Sequence, residues 1–88
     1  IVDDIEARGL EARTEVKFDT NGGYKDTRYA DVVAMKNGKI VEIHQVGKKY
    51  STSTFANPVP ISRERKAIQD IASSSKAQGA TIEFHAYK

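Results

Sequence analysis

Cysteine and tryptophan are absent from the 88 residues, and there are only two prolines and one methionine. Without cysteine there is no disulfide framework and no thiolate metal site, so zinc-finger architectures fall away and a small core must hold by packing alone. Long apolar runs are missing too. The most apolar stretch, Ala30 to Met35, carries Asp31 inside it, so no segment is expected to span a bilayer, and nothing reads as a signal peptide. The chain opens at Ile1 rather than at methionine, which suggests the C-terminal fragment of a longer parent, with any targeting information upstream. An excess of one charge is also lacking: fourteen basic against twelve acidic side chains leave +2, too little by itself to argue for nucleic acid.

What is present fits an ordinary folded domain. The composition is 39% apolar and 30% charged, without repeats or biased tracts, and residues 1–88 are enough for one core but not for two. The charge is unevenly spread. Residues 1–44 hold seven basic and nine acidic side chains, whereas residues 45–88 hold seven basic and three acidic. Lys48, Lys49, Arg63, Arg65 and Lys66 face only Glu64 between them, which is where a phosphate backbone would find counter-charges.

The periodicity predicts six elements. Ile1 to Arg8 is a short helix with acids near its start and Gly9 as its stop. Leu10 to Phe18 alternates apolar and polar residues and reads as a strand; Asp19 to Gly23 is loop chemistry. Tyr29 to Met35 and Ile40 to Val46 are strands joined at Asn37-Gly38, a strong hairpin signal. Gly47 to Ile61 is a polar surface loop, Ser62 is placed to cap a helix ending near Gly79, and Ala80 to Tyr87 is a last strand. The order is α-β-β-β-α-β, an α/β (α+β) single domain.

A two-residue Asn37-Gly38 turn sets an expected register in which Met35 faces Ile40, Val33 faces Glu42 and Asp31 faces His44. Asp31, Glu42 and His44 would then share a face, while Ala30, Val32, Ala34, Val41 and Ile43 would form the apolar face opposite. Two carboxylates about 5 Å apart repel by roughly 3 kcal/mol at an effective dielectric of 20, and a divalent cation such as magnesium or manganese would offset that cost. The alternative is a solvated acidic face with a cross-strand Asp31–His44 ion pair of small worth. Aspartate in mid-strand runs against local preference, and such conflicts gather at functional sites.

Three strings carry a resemblance: Arg28-Tyr29-Ala30-Asp31-Val32-Val33, Val41-Glu42-Ile43-His44-Gln45-Val46-Gly47, and Pro60-Ile61-Ser62-Arg63-Glu64-Arg65-Lys66-Ala67-Ile68. Together they resemble the restriction-endonuclease-like, PD-(D/E)xK nuclease domains at the C-termini of bacterial polymorphic and contact-dependent toxins. The resemblance implies a central mixed sheet and metal-dependent hydrolysis of phosphodiester bonds in DNA or RNA. It places Asp31 and Glu42 as the metal-binding acids and His44 at the position the family gives to lysine; Ala30 stands where the family has proline. Glu6 on the first helix is then the candidate third metal ligand, or a helix-dipole partner. His44 is a general-base candidate, since imidazole accepts a proton near neutral pH, or else it hydrogen-bonds Asp31.

The same resemblance implies a cognate immunity protein, Mg2+ or Mn2+ as cofactor, and delivery from a producer cell into the cytoplasm of a target cell. Lys48, Lys49, Arg63 and Lys66 are candidate phosphate contacts, and Tyr50 and Phe55 candidates to stack bases. Gln45 is expected as a structural hydrogen-bonder and His85 as an exposed strand residue. A second class is a non-catalytic module, because α-β-β-β-α is also the order of double-stranded RNA-binding domains.

Overall fold

A computed structural model of the protein describes residues 1–54 and 57–86; Phe55 and Tyr87 lie outside them. The elements follow in the order α1 (Val2–Ala7), β1 (Glu11–Asp19), β2 (Thr27–Lys36), β3 (Lys39–Gly47), α2 (Ser62–Ser73) with a short 3-10 turn at Ser75–Ala77, and β4 (Thr81–Ala86). One four-stranded sheet is ordered β1-β2-β3-β4. The first three strands are antiparallel neighbours, and β4 lies parallel to β3 after the crossover through α2. The sheet is therefore mixed, and the class is α+β.

Both sheet faces are covered. On one, Ile71 of α2 and Ala77 pack with Phe18, Ala30, Val33, Ile40 and Ile43; on the other, Ile5 of α1 packs with Val32 and Ala34. Val32 and Val33 are adjacent and point to opposite faces, as the pleat requires, so α1 and α2 cover opposite sides. The six-residue α1 is too short to hold by helix propensity, and its burial of Ile5, fully removed from solvent, fixes it to the sheet. The expectation of one packed and one working face is thus corrected.

Two irregularities redistribute the strands. At the hairpin, Asn37 and Gly38 take φ of 52° and 79°, the double left-handed geometry of a type I′ turn. Lys36 pairs with Lys39 and Met35 with Ile40 as expected, but a bulge then shifts the ladder so that Ala34 pairs with Glu42, Val33 with Ile43 and Val32 with His44. Val41 is the extra residue. The expected pairings of Val33 with Glu42 and Asp31 with His44 are therefore overturned.

The second break lies between β1 and β2. Glu15 has φ of 52°, and the Thr14–Val32 and Val16–Ala30 pairs flank Glu15 and Asp31. Ala30 packs toward α2 while Val32, two residues on, packs toward α1, so the pleat changes sides at Asp31. Ala30 and Ile43 consequently do not share a face with Val32, Ala34 and Val41.

Other local details depart modestly from expectation. Ile61, not Ser62, occupies the N-cap of α2, and the Ser62 hydroxyl sits 3.1 Å from the Tyr50 hydroxyl instead. The segment after β3 is tied to itself: Lys49 bridges Pro60, and the N–H groups of Tyr50 and Ile61 donate to Val59 and Lys48 carbonyls. In the last turn of α2, buried Asp70 accepts from the N–H groups of Tyr24 and Lys25 and from Arg28 Nε at 2.9 Å, anchoring the β1–β2 loop. Burial by itself would push its carboxyl up; the Tyr24 N–H, Arg28 and the Lys25 N–H outweigh this and hold it below the usual value.

Candidate functional site

The changed register and pleat send the sequence-derived site residues to two places. Asp31 lines a cleft of about 410 Å³ between β2, the end of β3 and the start of α2, together with Gln45, Val46, Arg63 and Glu64. Its carboxylate accepts from the Val46 N–H at 2.8 Å, while its own N–H donates to the buried Gln45 carboxamide oxygen at 2.7 Å. Gln45 is the structural hydrogen-bonder expected of it.

Glu64 joins Asp31 in this cleft because of Gly47. A Cβ at position 47 would lie 2.5 Å from the Glu64 carboxylate, so glycine here lets that flexible side chain rest against the end of β3. Asp31 thus meets Val46 and Glu64 lies against its neighbour Gly47, and both acids line the one cleft. This is the carboxyl end of a strand with a parallel neighbour, where open sheets present ligand sites.

A basic and aromatic surface surrounds the cleft. Tyr24, Tyr29 and Tyr50 are 63%, 60% and 38% exposed, a departure from the burial that aromatic rings contribute to cores. Lys66 Nζ lies 5.2 Å from the Tyr24 ring centroid and Arg65 Cζ 5.9 Å from that of Tyr50, both within cation–π range. Lys25 and Arg63 line the cleft itself, and Lys48 is exposed at its β3 end. Lys49 is committed internally, its ammonium donating to the Ser53 carbonyl at 2.8 Å. Of the four cations expected to meet phosphate, Lys48, Arg63 and Lys66 are exposed, and Arg63 Nε lies 3.9 Å from Glu64 Oε1.

Glu42 and His44 occupy the α1 side instead, in a cavity of about 420 Å³ shared with Arg8, Glu83 and His85. Arg8 grips Glu42 with both guanidinium nitrogens at 2.5 and 2.7 Å. That bidentate bond, followed by one from His44, lowers the Glu42 carboxyl to about 2, and Glu42 in turn raises Arg8. The helix brings Asp4 and Arg8 to this cavity, while Glu6 is exposed elsewhere on α1. The expected set of Asp31, Glu42 and Glu6 around one cation is therefore not assembled.

A different set can hold a metal ion. One ligand atom each from His44, Glu83 and His85 lies within 4.8 Å of the others, an arrangement found among the described residues. His85 was expected to be an exposed strand residue and is half-buried; parallel pairing of β3 with β4 places Glu83 beside His44 and His85 beside Val46. The two imidazoles stack with centroids 5.1 Å apart. Sequence alone carried one signal for this, that the chain has just two histidines, each on an expected strand.

No family model, curated protein or solved structure matches this chain. The site is therefore interpreted from its own chemistry.

Proposed function

We propose that this domain is a metal-dependent nuclease that hydrolyses phosphodiester bonds in DNA or RNA, with the Asp31–Glu64 cleft as its active site. The observation that carries this reading is that two carboxylates from separate elements, Asp31 at Val46 and Glu64 at Gly47, line one cleft together with Lys25, Arg63 and the exposed Tyr29. Carboxylates alone would repel a polyphosphate chain; cations around them attract it, and a divalent ion reconciles the two.

The donor set suits the hard ion that the motif resemblance implies. Carboxylate oxygens of Asp31 and Glu64 would hold Mg2+ or Mn2+, with the Glu64 carboxylate resting in the space left by the missing side chain at Gly47. Such an ion lowers the pKa of bound water and neutralises charge building on phosphate. Arg63, with its side chain 75% exposed, reaches for the phosphate, and Lys25 neutralises the neighbouring one. The carboxylate not occupied by the Val46 N–H is the proton acceptor for the attacking water. His44 is buried on the α1 side and is assigned no part in this step.

The three strings that resemble polymorphic-toxin nucleases extend the proposal to a toxin domain that acts in a recipient cell. A cognate immunity protein would then present acids to the Lys48, Arg63 and Lys66 surface. A second reading, a nucleic-acid-binding module without chemistry, draws on the Tyr24–Lys66 and Tyr50–Arg65 pairs, which serve binding whether or not a bond breaks.

The purified domain incubated with end-labelled single- and double-stranded DNA and RNA, with Mg2+, Mn2+ or EDTA, separates these readings. Cleavage that requires the divalent ion and disappears in Asp31→Asn supports the nuclease. Retention of labelled strands without cleavage supports the binding module, and absence of both overturns the assignment to nucleic acid.

A further inference from the structure

We infer that His44, Glu83 and His85 form a divalent transition-metal site of the zinc class on the α1 side of the sheet, separate from the Asp31–Glu64 cleft. The argument starts from hydrogen-bond accounting. His44 Nε2 lies 2.9 Å from Glu42 Oε1, and because a carboxylate held by Arg8 accepts only, the imidazole donates that N–H. A neutral His44 then carries its lone pair on Nδ1.

That lone pair faces two further atoms. His44 Nδ1 lies 2.9 Å from His85 Nε2 and 3.2 Å from Glu83 Oε2, and His85 Nε2 lies 3.9 Å from the same oxygen. A proton on His85 Nε2 satisfies the two imidazoles alone, whereas a cation centred among the three ligand atoms satisfies all of them together. Four tetrahedral ligands at zinc distances sit about 3.3 Å apart, and the three separations bracket that value.

The donors select the ion. Two imidazoles and one carboxylate suit zinc, nickel or cobalt, whereas magnesium takes oxygen ligands. Two histidines and one acidic residue also leave a fourth position open, and the half-exposed Glu83 faces a solvent-accessible cavity from which water can fill it. Behind the ligands, the Arg8–Glu42–His44 chain provides the outer support typical of metal-bound histidine: Glu42 fixes the tautomer, and Arg8 fixes Glu42. Because His44 lies on β3 and the other ligands on β4, the ion would clamp the sheet's parallel pair and stabilise the fold.

Isothermal titration of the tag-free, metal-stripped protein with Zn2+, Co2+ and Mg2+ tests the site without reference to any activity. The expected result is one Zn2+ per chain, a raised thermal midpoint, a tetrahedral cobalt visible spectrum, and no heat from Mg2+ at the same concentrations. Glu83→Gln and His85→Ala alter groups near the surface and should weaken Zn2+ by about 100-fold or more, with folding verified by circular dichroism. Glu42→Gln should weaken it by about 10-fold through lost positioning of His44. Failure to bind Zn2+, equal binding of Mg2+, or Zn2+ affinity unchanged in His85→Ala overturns the inference. A failed zinc titration leaves Mg2+-dependent cleavage by the Asp31 cleft untouched, so the two proposals stand or fall separately.

Discussion

Asp31 directs its carboxylate to the Val46 N–H at 2.8 Å, so Glu64 rather than Glu42 is the acid that shares its cleft. The distinction matters for catalysis. A carboxylate anchored by a backbone N–H keeps a fixed position while its second oxygen meets a ligand, whereas Glu42 is already saturated by Arg8 and His44. On the proposed assignment the same side-chain type would serve as a reacting group on one side of the sheet, while on the other it is an anchor held by Arg8 and His44.

Asp31→Asn and Glu64→Gln should each lower divalent-dependent cleavage by about 100-fold or more, since each removes a hard anionic donor and a proton acceptor from the cleft. Initial rates on a labelled strand at saturating Mg2+ provide the measurement. If Glu42→Gln abolishes cleavage and Glu64→Gln does not, the active site belongs to the α1 side.

Gly47→Ala should displace the Glu64 carboxylate, because the added methyl would occupy space 2.5 Å from it. The colliding atoms are the end of a flexible side chain that can swing away, so the cost is below about 1 kcal/mol. In the double variant Gly47→Ala/Glu64→Ala the collision is gone, and urea denaturation should show recovery of most of the loss. Without that recovery the contact is not what excludes a side chain at 47.

Tyr24→Ala and Tyr50→Ala should weaken binding of labelled single strands in EDTA, where cleavage is silent. Base stacking on an exposed ring is worth about 1–3 kcal/mol, or roughly 5- to 150-fold in affinity for each base stacked. Phenylalanine at either position keeps the ring and should keep the affinity. Fluorescence anisotropy distinguishes the two, and equal loss in the phenylalanine variants would assign the effect to the hydroxyl groups.

Asp70→Asn should destabilise the fold by about 3 kcal/mol, since it leaves Arg28, with its side chain only 13% exposed, facing a neutral partner. The pH dependence has a definite sign. The folded-state carboxyl lies below its ordinary value near 3.8, so its stabilisation is complete above that value and fades as pH falls through the lower folded value. Denaturation midpoints of the native and Asp70→Asn proteins should therefore differ at neutral pH and converge in strong acid. A constant gap across that range would place the effect in packing rather than charge.

Much of the architecture was legible along the chain. Alternation in β1 and β4, the Asn37-Gly38 turn, Gly9 and Gly79 as stops, and the amphipathic run after Ser62 are local preferences, and local preferences survive folding. His44 and Gln45, which lie in the second of the three strings, are buried in the sheet, whereas Asp31 in the first is exposed. Arg63 and Lys66 were legible as an exposed cationic run.

The grouping of those residues was settled by long-range contacts. One extra residue at Val41 exchanged the faces of everything beyond it in the hairpin, because side chains alternate with period two and a single-residue slip reverses them. The change of side at Asp31 separated Ala30 from Val32, and the β3–β4 pairing joined His44 to Glu83 and His85 across some forty residues. Amino-acid order determined which segments become helices and strands, since that depends on near neighbours; which acids and histidines share a site depended on bulges and on parallel pairing, whose energies arise only when distant segments pack.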